Sequence, residues 1–134
     1  MKTTPRALYV GRFQPFHKGH EFIMRIKLDK KIPLLVAIRD MEPDEKNPLT
    51  AEQSKSLIEK AFAGEDVQVM IIPDIESVNW GRGVGYETNT HEPPPDIYNI
   101  SATQIRKEIA EGKEDWKQKV NEKIWDDVEK LLKN

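Results

Sequence analysis

The sequence predicts a single α/β domain over residues 1–134, with a Rossmann-like parallel sheet flanked by helices and an amphipathic helix at the C-terminus. Three short apolar runs have the length and the boundaries of buried strands. Segments with helical spacing of apolar residues alternate with these runs, and that order is typical of a parallel sheet with helices on both faces. A length of 134 residues suits one domain with a sizeable core.

The first half of the chain alternates strand and helix. The apolar run at 7–10 is closed by a glycine and predicts the first buried strand. After a turn that contains proline, apolar residues at helical spacing predict a helix from about 18 to 29. The run at 33–38, Pro-Leu-Leu-Val-Ala-Ile, predicts the second buried strand.

A polar loop at 41–49 precedes the second helix. Thr50 and Gln53 have the spacing of a capping box, in which each side chain accepts the backbone N–H of the other residue. The predicted helix behind them has an apolar face made of Leu57, Ile58, Ala61 and Phe62. Residues 67–72 predict a third strand, which is stopped by Pro73.

The remainder of the chain is less regular. Residues 77–80 are expected to form a fourth strand, and a loop at 87–99 with three consecutive prolines follows. Ser101 and Gln104 repeat the capping-box spacing and open a helix that ends at Gly112. A last amphipathic helix is predicted from four residues at spacings of three and four: Val120, Ile124, Val128 and Leu131.

Composition excludes several classes of protein. There are 21 Lys and Arg residues against 23 Asp and Glu, so the net charge of −2 gives no reason to expect binding of duplex nucleic acid. The absence of cysteine excludes disulfides, thiolate metal sites and a cysteine nucleophile. The apolar run near the N-terminus is too short for a signal peptide or a membrane span. We therefore expect a soluble cytoplasmic protein.

Two of the three histidines, His17 and His20, follow the first predicted strand and begin the first predicted helix. Ligands of parallel sheets bind at the carboxyl ends of strands, and backbone N–H groups at a helix N-terminus attract anions. The spacing places both imidazoles on nearly one face of the first turn. Gly19 would let a phosphate approach the backbone, and Arg12 and Lys18 add positive charge. The pattern predicts a polyphosphate site.

Other interpretations of the histidines remain open at this point. Two histidines near a turn are ordinarily solvated surface residues. A zinc site would need a further ligand, and His91 is the remaining imidazole. The glycines between 81 and 85 do not match the dinucleotide fingerprint, and the Gly-Lys-Ser/Thr phosphate loop does not occur.

A second group of polar residues begins the helix after residue 100. Ser101 and Gln104 are explained by the capping box without any function. Thr103 and Arg106 are not explained in this way, and their spacing makes them neighbours on the first turn. A hydroxyl and a guanidinium beside unpaired N–H groups predict a second anion site.

Together the two groups resemble a known superfamily. Residues 11–20, Gly-Arg-Phe-Gln-Pro-Phe-His-Lys-Gly-His, resemble the His-x-Gly-His signature of nucleotidylyltransferases, and residues 100–106, Ile-Ser-Ala-Thr-Gln-Ile-Arg, resemble their Ile-Ser-x-Thr-x-x-Arg signature. The first motif is most similar to archaeal-type nicotinamide mononucleotide adenylyltransferases. It is also similar to cytidylyltransferase-like domains of bacteria and phages, some of which are fused to adenylylsulfate kinase. In those domains three further segments have close counterparts: 39–40, 44–48 and 81–86.

The resemblance implies an enzyme that joins a nucleoside triphosphate to a phosphate monoester and releases pyrophosphate without a covalent intermediate. It implies four catalytic residues: His17, His20, Lys18 and Arg106. The nucleotide-binding residues that it implies are Gly11, Arg12, Phe13, Gly19, Gly81, Arg82, Gly83, Ser101, Thr103 and Arg106. The residues expected to contact the acceptor are Arg39, Lys46 and Trp80. Magnesium (Mg2+) is expected to arrive on the triphosphate, and no metal-binding residue is assigned.

One departure from the family concerns length. The chain is shorter than archaeal-type nicotinamide mononucleotide adenylyltransferases, and the missing length is expected between Trp80 and Ile100. Those enzymes build part of the pyridine and adenine pockets there, so the acceptor pocket is the least defined part of the prediction. Trp80 is expected to stack on a ring, or alternatively to be a core or interface aromatic.

Adenylyl transfer from ATP to nicotinamide mononucleotide is the first hypothesis. The alternatives are a cytidylyltransferase acting on a sugar, polyol or alcohol phosphate, and a non-catalytic nucleotide-binding module. Class I aminoacyl-tRNA synthetases share a similar His-x-Gly-His motif, but the chain is far too small for one. We expect no duplex nucleic acid and no membrane as partner, and assembly into a homo-oligomer is left open.

Overall fold

The computed structural model describes residues 4–83 and 85–133. Its elements follow in this order: β1 (Ala7–Gly11), α1 (Lys18–Leu28), β2 (Leu34–Asp40), α2 (Ala51–Ala61), β3 (Val67–Pro73), α3 (Pro95–Tyr98), α4 (Ala102–Ala110), two short 3-10 helices (Asp115–Lys119 and Glu122–Ile124) and α5 (Trp125–Leu132). Val84, which belongs to the glycine-rich segment at 81–86, lies outside the described residues. None of the helices in these ranges is both long enough and apolar enough to cross a membrane.

The predicted α/β class is confirmed. The sheet has three parallel strands in the order β1-β2-β3, with Tyr9 beside Val36 and Val36 beside Val69. Because parallel strands end at the same edge, the segments that follow β1, β2 and β3 meet there. This edge carries the loops at 12–17 and 41–49.

One face of the sheet supports a core that the C-terminal segment completes. Leu34, Val36 and Ile38 of β2 are almost fully buried in it. Four residues of the last segment are 0% exposed and belong to the same cluster: Trp116, Val120, Ile124 and Val128. The final helical segments are therefore part of the domain.

The other face of the sheet is partly open, so the expectation that both faces are covered is wrong for that face. Leu8 and Val10 of β1 are 56% and 40% exposed, and Met70 of β3 is 39% exposed. The register places these side chains on one face, since Val10 lies beside Ala37 and Ala37 lies beside Met70. The reason is topological: both crossovers advance in the same direction, and right-handed crossovers then place α1 and α2 on the same side.

The expectation of a fourth strand at 77–80 is wrong. These residues have no strand structure and are exposed, with Val78 at 62% and Trp80 at 55%. Their two apolar side chains pack against no described core residue, so no burial compensates the entropy of ordering an added strand.

The last amphipathic helix begins later than its apolar spacing predicts. Val120 has an extended backbone, with φ −133° and ψ 141°. The side chain of Asn121 accepts the N–H of Lys123 and starts a 3-10 helix, and α5 begins only at Trp125. The spacing was correct about burial, because Val120, Ile124 and Val128 all face the core.

The two predicted capping boxes have different outcomes. At α2 the box is confirmed: Gln53 N–H donates to Thr50 Oγ1 at 3.1 Å, and Thr50 N–H donates to Gln53 Oε1 at 2.9 Å. At α4, Gln104 N–H donates to Ser101 Oγ at 3.3 Å. The reciprocal bond to the Gln104 side chain is not formed within the described residues, so this box is half complete.

The packing of the C-terminal segment leads to a stability prediction. We expect Ile124→Ala to lower the free energy of unfolding by about 2–5 kcal/mol, because it leaves a cavity in a fully buried position. The matched control is Leu8→Ala on the open face, with an expected change within about 0.5 kcal/mol. Urea unfolding followed by circular dichroism measures both. Equal, small changes would show that the C-terminal segment does not belong to the cooperative core.

Candidate active site

His17 and His20 form the N-terminal cap of α1. The N–H of Gly19 donates to Nδ1 of His17 at 3.0 Å, and the N–H of His17 donates to Nδ1 of His20 at 3.2 Å. This is a capping box built from two imidazoles. Because each Nδ1 accepts a hydrogen bond, each neutral ring carries its proton on Nε2. Neither Nε2 has a hydrogen-bond partner among the described residues, so both can donate to a ligand.

The histidine pair lies in apolar surroundings. The two rings stack with centroids 3.8 Å apart, and the His20 ring also packs against Phe13 and Phe16, at 4.9 and 5.8 Å. Burial lowers the pKa of His17 to about 4. Burial, and then the nearby His17, lower the pKa of His20 to about 3. His17 is only 7% exposed, so the interpretation of the pair as solvated surface residues is wrong. Both rings are neutral at physiological pH in the free protein.

Two glycines of the first motif make room for the aromatic rings of the site. A Cβ at Gly19 would lie 2.7 Å from Cε1 of His17, and a Cβ at Gly11 would lie 3.0 Å from Cζ of Phe13. Phe13 is 7% exposed and has a positive φ of 56°. These contacts explain both glycines by packing. The predicted roles of Gly11, Phe13 and Gly19 in binding a nucleotide remain predictions.

Arg106 comes from α4 and lies against the turn before the histidines. Its Nη1 donates to the backbone oxygen of Gln14 at 2.8 Å, and its Nη2 donates to Thr103 Oγ1 at 3.4 Å. Burial lowers the pKa of Arg106, and the carboxylate of Asp44 opposes that change, so the guanidinium stays charged. The predicted proximity of Thr103 and Arg106 on α4 is confirmed, and their role as an anion site remains a prediction. Ser101 is exposed, and its hydroxyl caps α4.

The loop after β2 adds charge to the same edge. Arg12 donates to the backbone oxygen of Glu42 at 3.2 Å and lies 4.0 Å from the Asp44 carboxylate. Asp44 in turn accepts the N–H groups of Lys46 and Asn47, at 2.9 and 2.8 Å. A hydrogen bond from the Asn47 side chain is the main reason that the pKa of Asp44 is lowered.

The other predicted cations have different surroundings. Lys18 and Lys46 are exposed. Arg39 is held by Asp74, at 2.8 Å from Nε to Oδ1, and so connects the ends of β2 and β3. Positively charged residues therefore lie both near the turn after β1 and near the loop after β2. Two of them, Arg12 and Arg39, are already paired with carboxylates.

Two buried polar residues hold the turn after β1, one within the turn and one from α2, and neither was singled out from the sequence. Gln14 is 6% exposed and exchanges two hydrogen bonds with the backbone of Leu49: Nε2 to the oxygen at 3.0 Å, and Leu49 N–H to Oε1 at 2.8 Å. Ser54 is 0% exposed and donates to the backbone oxygen of Phe13 at 2.9 Å. A signal for Ser54 was present, since it is a polar residue on the buried stripe of α2.

The segment at 80–83 is not brought to the histidines. Trp80, Gly81, Arg82 and Gly83 are exposed and make no hydrogen bond or ion pair with the part of the chain that the structure describes. A Cβ at Gly81 or Gly83 would have nothing within 4 Å. Trp80 is therefore not a core aromatic, and its role in stacking remains a prediction, as do the roles of the other three.

The zinc interpretation gains no support. Within residues 4–83 and 85–133, no group of three or more His, Cys, Asp or Glu side chains is arranged to hold a metal ion.

Comparison with curated proteins finds several archaeal relatives. Nicotinamide-nucleotide adenylyltransferase of Methanococcus vannielii is 30% identical to the chain over 149 aligned positions, which cover 90% of this chain and 86% of the relative. The protein of the same name from Methanosphaerula palustris is 31% identical over 104 positions, and that from Methanocorpusculum labreanum is 36% identical over 70 positions.

The extent of these matches varies. The Methanosphaerula and Methanocorpusculum matches span 61% and 42% of the relative, less than two thirds of its length. The Methanococcus vannielii alignment, at 149 positions, is longer than the chain of 134 residues, so that relative carries residues that this chain lacks. A search against protein-family models finds no match.

The buried histidines lead to a prediction about pH. An unfolded histidine takes up a proton near pH 6.5, whereas His17 and His20 stay neutral in the folded protein down to pH values of about 4 and about 3. The unfolded state therefore binds more protons in this range, and the free energy of unfolding falls as the pH is lowered through it. Since one pKa unit corresponds to about 1.4 kcal/mol, we expect a loss on the order of a few kcal/mol between neutral pH and about pH 4.

Denaturant unfolding at a series of pH values measures this loss. His17→Asn and His20→Gln are matched variants, because their side-chain oxygens can still cap α1 and do not titrate. Their stability should depend less on pH than that of the wild type. The proposed burial is contradicted if the imidazole signals of both histidines titrate near pH 6.5 in NMR spectra of the folded protein.

Proposed function

The chain belongs to the nicotinamide-nucleotide adenylyltransferase family, and we propose that it transfers the adenylyl group of ATP to nicotinamide mononucleotide. The observation that carries the proposal is the pair of neutral imidazoles at the N-terminus of α1, whose Nε2–H groups are available and follow the turn that binds the charged Arg106. Two N–H donors, a helix N-terminus and a guanidinium form a set of groups suited to a polyphosphate.

The reaction we propose is a direct displacement. A phosphate oxygen of the acceptor attacks the α-phosphorus of the triphosphate, and a new P–O bond forms. The bond between the α-phosphorus and the bridging oxygen to the β-phosphorus breaks, and pyrophosphate leaves with that electron pair. The acceptor phosphate is already ionised at neutral pH, so no general base has to remove a proton. Catalysis then rests on positioning and on stabilisation of charge.

We assign charge stabilisation at the α-phosphate to His17 and His20. Their Nδ1 atoms accept backbone N–H groups, so the rings are oriented before the substrate arrives. Donors that need no reorganisation at the moment of reaction contribute most to electrostatic catalysis. Gly19 belongs to the same turn and would contribute the backbone of the anion site.

We assign the β- and γ-phosphates to Arg106, with Thr103, Ser101, Arg12 and Lys18 as further contacts. Arg106 presents a planar fork that is oriented by Gln14 and Thr103. Lys18 is exposed on the first turn of α1 and can reach a bound phosphate from solvent. Gly11 and Phe13 hold the turn in place.

The acceptor and the nucleoside are assigned to the open edge of the sheet. Lys46 and Arg39 lie in or beside the loop after β2, where they can contact the acceptor phosphate. The segment with Trp80 and residues 81–83 is proposed to contact base or ribose rings. Mg2+ enters with the triphosphate as part of the substrate. It binds phosphate oxygens and water readily, so it needs few protein ligands.

The proposed activity is tested by pyrophosphate release with four nucleoside triphosphates and a panel of phosphorylated acceptors. We expect release with ATP and nicotinamide mononucleotide. Release with CTP and a sugar or polyol phosphate would support the cytidylyltransferase alternative, and release with no pair would support a non-catalytic module. His20→Ala is the control for the chemistry, with turnover expected to fall about 100- to 1000-fold while the fold persists. Near wild-type turnover of the folded variant would refute the role of His20.

A second prediction concerns the leaving group. Arg106→Lys should weaken binding of ATP and lower turnover, because lysine offers a point charge in place of a planar pair of donors. Binding of AMP should not change, since AMP lacks the β- and γ-phosphates. Calorimetric titration of wild type and variant with ATP and AMP measures the difference. Equal losses for both ligands would mean that Arg106 supports the pocket in general and does not hold the leaving pyrophosphate.

A further inference from the structure

We propose that Gln14 is a positioning residue, which holds the phosphate-binding turn, the loop at 41–49 and Arg106 in one arrangement. This inference rests on the proposed function. Gln14 lies in the turn between β1 and α1, and both its side chain and its backbone are used. No other residue among those described joins these three parts of the site through its own hydrogen bonds.

The side chain of Gln14 holds the end of the loop after β2. Its amide donates to the oxygen of Leu49 and accepts the N–H of Leu49, at 3.0 and 2.8 Å. Leu49 is 2% exposed, so its backbone groups have no access to water at this position. A buried backbone N–H and C=O need partners. The paired hydrogen bonds therefore fix the loop against the turn.

The backbone of Gln14 orients Arg106. The oxygen of residue 14 accepts Nη1 of Arg106 at 2.8 Å, and this contact crosses from α4 to the β1–α1 turn. The neighbouring Phe13 oxygen is held by the buried Ser54 hydroxyl. The backbone on one side of Gln14 is thus held in place, and this limits movement of the Gln14 oxygen that accepts the guanidinium. Movement of residue 14 would therefore move the fork that we assign to the leaving pyrophosphate.

The two hydrogen bonds between Gln14 and Leu49 require a carboxamide side chain. An ionised glutamate accepts hydrogen bonds but cannot donate, so Gln14→Glu would place a carboxylate beside the oxygen of Leu49. A protonated glutamic acid regains one donor and keeps one acceptor. Gln14→Asn keeps both groups on a side chain that is one methylene shorter. Gln14→Glu thus removes the N–H donor of the side chain, whereas Gln14→Asn keeps the donor and shortens the side chain.

The experiment measures ATP and AMP binding and pyrophosphate release for both variants. Because small misplacements of binding groups can cost about 100-fold in rate, we expect Gln14→Glu to lower kcat/KM for ATP by about 10- to 100-fold. AMP affinity should stay within about twofold, since AMP does not use Arg106 and since the cap of α1 holds His17 and His20 independently of Gln14. The ratio of variant to wild-type turnover should rise as the pH is lowered from 8, because the protonated side chain regains its donor. Gln14→Asn should show the same selective loss without this pH dependence.

Two controls separate positioning from loss of stability. Tyr9→Phe removes a comparable side-chain hydrogen bond, from Tyr9 Oη to the oxygen of Ile23 at 2.8 Å, outside the site. It should leave the ATP to AMP affinity ratio unchanged. The double variant of Gln14→Glu with Arg106→Gln should bind ATP no worse than about twofold below Arg106→Gln alone, because coupled residues are not additive.

The outcomes distinguish the inference from the proposed function. Wild-type ATP affinity in folded Gln14 variants, or equal losses for ATP and AMP, would overturn the positioning role. If the wild type itself neither binds ATP nor releases pyrophosphate, the proposed function fails. Backbone hydrogen exchange of residues 41–49 then tests whether Gln14 holds the loop after β2. Faster exchange in Gln14→Asn than in Tyr9→Phe supports the positioning role of Gln14, and equal exchange overturns it.

Discussion

Two hydrogen bonds, from the backbone N–H groups of Gly19 and His17 to the Nδ1 atoms of His17 and His20, set the character of the candidate site. They cap the helix, and by using Nδ1 as an acceptor they leave the proton of each neutral ring on Nε2. The two rings stack on each other, and Phe13 and Phe16 pack against His20. Burial then lowers both pKa values far below neutral pH. One local arrangement thus determines helix capping, tautomer and charge together.

The parallel sheet determines which groups can join the histidines. Strands β1, β2 and β3 end at one edge, so the turn after β1 and the loop after β2 become neighbours. Hydrogen bonds between Gln14 and Leu49 connect these two segments. Arg106 connects α4 to the first of them through the oxygen of Gln14. The guanidinium of Arg106 is therefore oriented by a backbone oxygen of a turn that buried hydrogen bonds hold in place. Such support is what a site that works by positioning and electrostatics requires.

The order of the elements also explains the open face. With three strands in sequence order and helices on one side, β1 and β3 keep apolar side chains in contact with solvent. The segment at 77–80 does not pair with the sheet, although its alternation resembles that of a strand. Alternation of polar and apolar residues indicates which side chains would share a face of a strand. It does not show whether a neighbouring strand is present to pair with. A strand predicted from alternation alone therefore needs a partner that only the tertiary structure can show.

Sequence by itself determined the α/β class, three strands and the principal helices, because periodicity and capping residues are local properties. The grouping of His17, His20 and Arg106 in one site is a prediction from the motifs. The apolar spacing of Val120, Ile124 and Val128 marked one face of an amphipathic segment, and the tertiary structure decided that this face packs in the core of the domain. Only the tertiary structure decided that the histidines are buried and neutral, since desolvation depends on the phenylalanine rings around them. The contact between Arg106 and Gln14 spans 92 positions along the chain. No local pattern encodes such a contact, because it exists only when the parallel strands and α4 have packed together.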